Sequence, residues 1–161
     1  MNERSGKGFK DFLPIVIVVI GACLASLILE GGKIYNWKGW MGTFMGLLFI
    51  QLGSFKYFDL PTFVRGFEQY DLPTRYFKQY AQIYPLLECI LGMLFLSQWV
   101  PVFIDIITIG WMGLGAVGVL QAMRRKEGTP SVASPGLQIS VYTLSIIENI
   151  GFFLLAILHL L

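Results

Sequence analysis

The feature that most constrains this chain is a series of long runs with almost no charge. Phe12 to Leu29 reads FLPIVIVVIGACLASLIL, without one charged side chain. A helix crossing a hydrocarbon core ~30 Å thick needs roughly 20 apolar residues, and this run supplies a first span. Trp40 to about Phe55, running on toward Phe58, supplies a second. Pro85 to Val100 is a third, interrupted by Glu88; Val102 to Met123 is a fourth, carrying Asp105; Ile139 to Leu161 is a fifth, carrying Glu148 and Asn149. In lipid every backbone polar group must be bonded internally, and no alternating strand pattern competes with these runs. The spacing therefore predicts an all-α fold, a polytopic membrane helical bundle. Composition agrees: 55% of the residues are hydrophobic and 14% charged, against about 25% charged in an average soluble domain. That balance excludes a soluble globular domain, a disordered chain and a coiled coil, and a net charge of +2 gives no reason to expect nucleic acid.

Basic residues order the spans across the bilayer. Arg4, Lys7 and Lys10 precede the first run, and Ile20-Gly21-Ala22-Cys23 loosely resembles a lipoprotein cleavage site. The apolar run continues past Cys23 to Leu29, so a retained helix is expected. With five spans and the N-terminus inside, Lys56, Arg65, Arg75, Lys78, Arg124, Arg125 and Lys126 join the first three on the cytoplasmic side. Only Lys33 and Lys38 fall outside. The positive-inside bias favours N-terminus in and C-terminus out, in a bacterial cytoplasmic membrane.

The connector at residues 56–84 is too polar to cross and too aromatic for a free loop. Phe58-Asp59-Leu60-Pro61-Thr62 recurs twelve residues later as Tyr70-Asp71-Leu72-Pro73-Thr74. Each Asp can cap a helix start, and each Pro falls in a first turn where its missing N–H costs little. Two short helices follow, with Lys56, Asp59, Tyr70 and Asp71 as the motif residues. They lie at the headgroup level with Phe63, Phe67, Tyr76, Phe77 and Tyr80 shallowly buried, or they form a lid or docking surface over the bundle.

Ionisable residues inside spans are costly and mark function by default. Tyr80, Tyr84, Glu88 and Gly92 recur every four residues and share a helical face. Tyr142, Ser145, Glu148, Asn149 and Phe152 form a similar stripe on the last span. Two readings stay open: a proton relay or small-solute pocket between Glu88 and Glu148, or neutral acids acting as hydrogen-bonding glue. Asp105 reads as reaching interfacial water, and His159, the sole histidine, as an interfacial side chain. One histidine builds neither a catalytic nor a metal cluster, nor the axial pair of a haem, so no catalytic residue, metal or cofactor is expected. Gly42 with Gly46, and Gly115 with Gly118, read as close helix-packing positions. Trp37, Trp40 and Trp99 read as interfacial belt residues and Trp111 as core. Cys23 and Cys89 sit at depths differing by about 10 Å at 1.5 Å rise per residue, too far apart to bridge.

The blocks Phe55-Lys56-Tyr57-Phe58-Asp59-Leu60, Gly66-Phe67-Glu68-Gln69-Tyr70-Asp71-Leu72, and Tyr80-Ala81-Gln82-Ile83-Tyr84-Pro85-Leu86-Leu87-Glu88 resemble the MauE/DoxX family of redox-associated membrane proteins. Trp40 to Gly46, Gly115 to Val119 and Thr143 to Asn149 fit the same pattern. The resemblance implies a four-helix membrane domain at residues 38–161. Residues 1–37 would then add a cytoplasmic tail, an extra membrane helix and a short outer loop. It also implies a link to methylamine dehydrogenase maturation, thiosulfate oxidation, or redox and metal-handling operons. Relatives of this subgroup carry Cys-Ala-Cys-Leu-Gly before the last helix; the matching stretch here reads Val132-Ala133-Ser134-Pro135-Gly136, with both thiols gone. The expected role is therefore an accessory one, a maturation factor or a non-catalytic subunit of a membrane redox complex. Its partners would be the lipid bilayer and either other membrane subunits or further copies of the chain. The alternative is a small transporter or proton-linked carrier using Glu88 and Glu148.

Overall fold

A computed structural model describes residues 7–31, 36–125, 132–134 and 137–161, with side chains from Phe12 onward except at 125, 132–134 and 137–142. Five long helices carry the fold: α1 (Lys7–Leu29), α2 (Trp37–Phe58), α5 (Gln79–Ser97), α6 (Pro101–Arg125) and α7 (Val141–Leu160). The connector holds two short helices, α3 (Leu60–Phe67) and α4 (Leu72–Tyr76). Between α6 and α7 lies a small antiparallel hairpin, β1 (Val132–Ser134) with β2 (Leu137–Ser140), in which Val132 faces Ser140. It takes the first residues expected of the fifth span, so α7 starts at Val141. The stretch matching the relatives' cysteine motif falls on β1, and its Pro135-Gly136 lies outside the described residues.

Among the described residues four helices are long and apolar enough to cross a membrane: α1, α5, α6 and α7. The span expected from Trp40 to about Phe55 corresponds to α2, which is not among them. That helix has a span's length, 22 residues, but Gly39, Gly42, Thr43, Gly46, Gln51 and Gly53 dilute its apolar content. The dilution has a packing cause, since α2 is the central helix, in contact with α1, α5 and α7. A Cβ on Gly92 of α5 would lie 2.6 Å from the Gly46 carbonyl oxygen, and one on Gly46 would lie 2.8 Å from that of Gly92. Gly53 stands equally close to the Pro85 carbonyl. Small residues let the two backbones touch, which is how helices associate where lipid removes the hydrophobic drive. Gly42 instead faces the His159 ring of α7.

The pairs Gly46–Gly92 and Gly53–Pro85 make α2 and α5 antiparallel; Gly115–Asn149 and Gly113–Phe153 do the same for α6 and α7. The core divides along the bundle. Toward the C-terminal end, Phe49 stacks between Phe95 and Phe152 with centroids 5.9 and 3.6 Å away, and Met45, Ile104 and Met112 fill around them. Toward the connector, Phe63, Phe67, Tyr70, Tyr84 and Val119 form a second cluster.

The connector turns inward. Asp59 accepts from the Thr62 amide at 3.4 Å and starts α3; Asp71 accepts from the Thr74 amide at 2.9 Å and its hydroxyl at 2.7 Å and starts α4. Phe63 and Phe67 share one face of α3, a turn apart, and are each 3% exposed. They therefore do not float in the headgroups. Tyr76 and Phe77 remain outward, at 94% and 53% exposure. Gly118 of α6 admits this arrangement, since a Cβ there would lie 2.8 Å from the Tyr70 carbonyl oxygen.

Candidate functional site

The connector covers a buried ionic cluster. Lys56 sits in the last turn of α2, one residue-triplet before the Asp59 cap that folds α3 back over it. Its Nζ donates to Glu88 Oε1 on α5 at 2.5 Å and to Glu148 Oε1 on α7 at 2.7 Å. Lys56 and Glu148 are nearly closed to solvent and Glu88 is fully buried. The ammonium also lies over the rings of Tyr84 and Phe63, 5.1 and 5.6 Å from their centroids. Three helices and the connector thus meet on one charged group. The sequence alone puts Lys56 among the cytoplasmic cations and in the connector motif, and sets Glu88 with Glu148 as a relay or pocket or as hydrogen-bonding glue, without Lys56 between them. The missed signal is topological. In an antiparallel α2–α5 hairpin, Lys56 and Glu88 stand at matching heights on facing helices.

The cluster brings two carboxyl groups to one ammonium, and Glu88 Oε2 is buried without a hydrogen-bond partner.

Around it the polar residues of the two stripes take separate places. Tyr70 and Ser145 share a hydrogen bond of 2.5 Å that ties the connector to α7. Trp111 donates its indole N–H to the Tyr80 hydroxyl, and Tyr84 packs against Phe67 and Trp111 with centroids 4.4 and 5.2 Å away. Asn149 donates back to the Ser145 carbonyl at 2.8 Å while its Oδ1 is unpartnered against Gly115. The Tyr142 side chain lies outside the described residues. In the connector, burial pushes the Tyr70 phenol well above its ordinary value, with the Ser145 hydrogen bond working the other way. Burial likewise raises the Asp71 carboxyl, against the pull of the two Thr74 hydrogen bonds.

A second ionic site lies at the opposite end. Asp105 and His159 are buried, not interfacial: His159 Nδ1 meets the two Asp105 oxygens at 2.9 and 2.8 Å, and Nε2 meets the Lys38 carbonyl at 3.0 Å. A pocket of about 210 Å³ opens beside the pair, lined also by Asn36, Lys38 and Gln98. Gln98 takes a left-handed backbone (φ 50°) and donates to the Gly39 carbonyl, fastening the end of α5 to the start of α2. A lone histidine gives little signal by itself; the antiparallel α6–α7 pairing is what brings the start of one helix to the end of the other. Both cysteines are free thiols, and Cys89 contacts the Ile50 carbonyl. Among the described residues no three His, Cys, Asp or Glu side chains gather into a metal site.

A family model described as methylamine utilisation protein MauE matches residues 37–161. No curated protein and no solved structure matches the chain.

Proposed function

The chain belongs to the family of methylamine utilisation protein MauE, and from that premise we propose that it is an accessory component of methylamine utilisation, acting as a maturation factor or as a non-catalytic subunit of a membrane redox complex. It is an integral membrane protein. The proposed setting is a bacterial cytoplasmic membrane, with the N-terminus inside. The observation that supports an accessory role is the occupancy of the space between Glu88 and Glu148. A small-solute carrier needs room there, and the Lys56 ammonium fills it under the cover of Phe63 and Phe67. Both cysteines are free thiols, and their depths along the spans differ by about 10 Å at 1.5 Å rise per residue, which argues against disulfide exchange within one chain.

Purification in mild detergent tests this reading. Other membrane or periplasmic chains should co-purify in fixed stoichiometry. Isolation as a stable homo-oligomer that moves protons or solutes in vesicles would favour the carrier instead. One observation speaks for that second reading: Glu88 Oε2 is buried and unpartnered, as expected of a group that gains and loses a proton.

A further inference from the structure

A cavity of about 10 Å³ lies under the connector, between the start of α4 and the helices α5, α6 and α7. Asp71, Tyr80, Tyr84, Trp111, Gly115 and Asn149 are among the residues that line it. That volume suits one water-sized molecule and nothing larger. Asn149 is 4% exposed, and the bond from its Nδ2 to the Ser145 carbonyl fixes which way the amide points. Oδ1 is thereby left buried without a protein partner. It faces Gly115, where a Cβ would collide with it. Tyr80 brings the complementary group. Its oxygen accepts from the Trp111 indole N–H, and among the described residues no acceptor takes its own O–H.

Those two groups specify the occupant by hydrogen bonding. It has to accept from the Tyr80 hydroxyl and donate to Asn149 Oδ1 within one small space. Water does both, and its second proton has an acceptor in Asp71 Oδ1, the oxygen that the two Thr74 bonds leave over. Three bonds are the usual complement of a buried water. An ammonium ion of similar size has no lone pair for the Tyr80 proton, and an apolar occupant would leave both polar groups unpaired. We infer that this cavity is a binding site for a single water molecule, which bridges Tyr80 on α5 and Asn149 on α7 beneath the Asp71 cap of α4. Tyr84 borders both the cavity and the Lys56 ammonium, so the water belongs to the packing that closes the connector over the ionic cluster. Such binding needs no partner chain, so its test and the co-purification test fail independently.

A crystal structure of the full chain, at a resolution that shows ordered water elsewhere in the bundle, tests the site directly. It should show a solvent peak about 2.7–3.2 Å from both Asn149 Oδ1 and the Tyr80 hydroxyl oxygen. The same structure of Tyr80→Phe should show the peak lost or weakened. A thermodynamic cycle gives an independent reading, because the two side chains share no hydrogen bond of their own. In SDS unfolding titrations Tyr80→Phe should lower the folding constant about tenfold more in the parent than in Asn149→Leu, a coupling of about 1.4 kcal/mol. The lost Trp111 bond is the same in both backgrounds and cancels. No peak, a peak touching only one of the two atoms, or additive losses would overturn the proposal. Should Asn149→Leu fail to fold, the two structures decide alone, and a peak unchanged in Tyr80→Phe counts against the bridge.

Discussion

Lys56 is the residue on which the connector end depends. Removing one partner of a buried ionic cluster leaves an uncompensated charge, which costs about 3–5 kcal/mol. Lys56→Met should lower stability by that order in detergent melts, because Glu88 and Glu148 would then face each other alone. Glu88→Gln should be far milder, within about 0.5–1.5 kcal/mol of the parent, the scale of one net hydrogen bond. It leaves one ammonium with one carboxylate, and its amide oxygen can still accept from Lys56. Equal damage from the two variants would argue against the ion-paired arrangement. Asp71 makes a prediction of its own in acid. Its carboxyl is raised in the folded protein from its ordinary 3.8, so the folded state holds this proton more tightly than the unfolded chain. The stability it contributes is full below 3.8 and is lost as pH rises through the folded value. Asp71→Asn keeps a capping oxygen and should flatten this part of the pH–stability curve; an unchanged curve would contradict the shift.

Helix contacts and helix starts respond differently to small changes. Gly46→Ala or Gly92→Ala should force α2 and α5 apart, because each new methyl would meet a carbonyl oxygen of the facing backbone. Gly151→Ala, with open space around it, should be neutral or stabilising by up to about 1 kcal/mol, the propensity difference between the two residues in a helix. Thermal melts of the three variants check the contrast directly. The two Asp caps should also differ. Asp71 accepts from both the amide and the hydroxyl of Thr74 at close range, while Asp59 accepts a single bond of 3.4 Å. Asp71→Ala should cost toward the upper end of the usual ~0.5–2 kcal/mol for a lost cap, and Asp59→Ala toward the lower end.

Across the whole bundle, the two ionic sites act as clasps at opposite ends. Lys56 joins α2, α5 and α7 at the connector end; the Asp105–His159 pair joins α6 to α7 and reaches the start of α2 at the other. Asp105→Ala and His159→Ala should be strongly non-additive, with a coupling of about 0.5–3 kcal/mol typical of contacting pairs. Additive losses would mean that the pair contributes nothing jointly. The topology carries its own test. Reporter enzymes fused after Leu161 should read as exported, since ten of the twelve basic residues would otherwise face outward.

Much of this was legible in the chain itself. Uninterrupted apolar runs admit only helices in lipid, so the all-α membrane fold followed from Phe12 to Leu29 and its counterparts. The repeated Asp-Leu-Pro-Thr blocks marked two helix starts, because capping is a local interaction within one turn. Family membership was legible through the spaced blocks around the connector. What only the tertiary structure decided is which distant residues share a charge. Lys56 looked like one more cytoplasmic cation, since its sequence neighbours are ordinary interfacial residues and its partners are 32 and 92 positions away. His159 looked solitary for the same reason, with Asp105 lying 54 positions off. Phe63 and Phe67 have the pattern of an amphipathic surface helix, and periodicity alone does not tell lipid from protein as the apolar surroundings. The close approach of α2, α5 and α7 settles that choice, because it places two buried acids where the lysine at the end of α2, covered by those rings, reaches both.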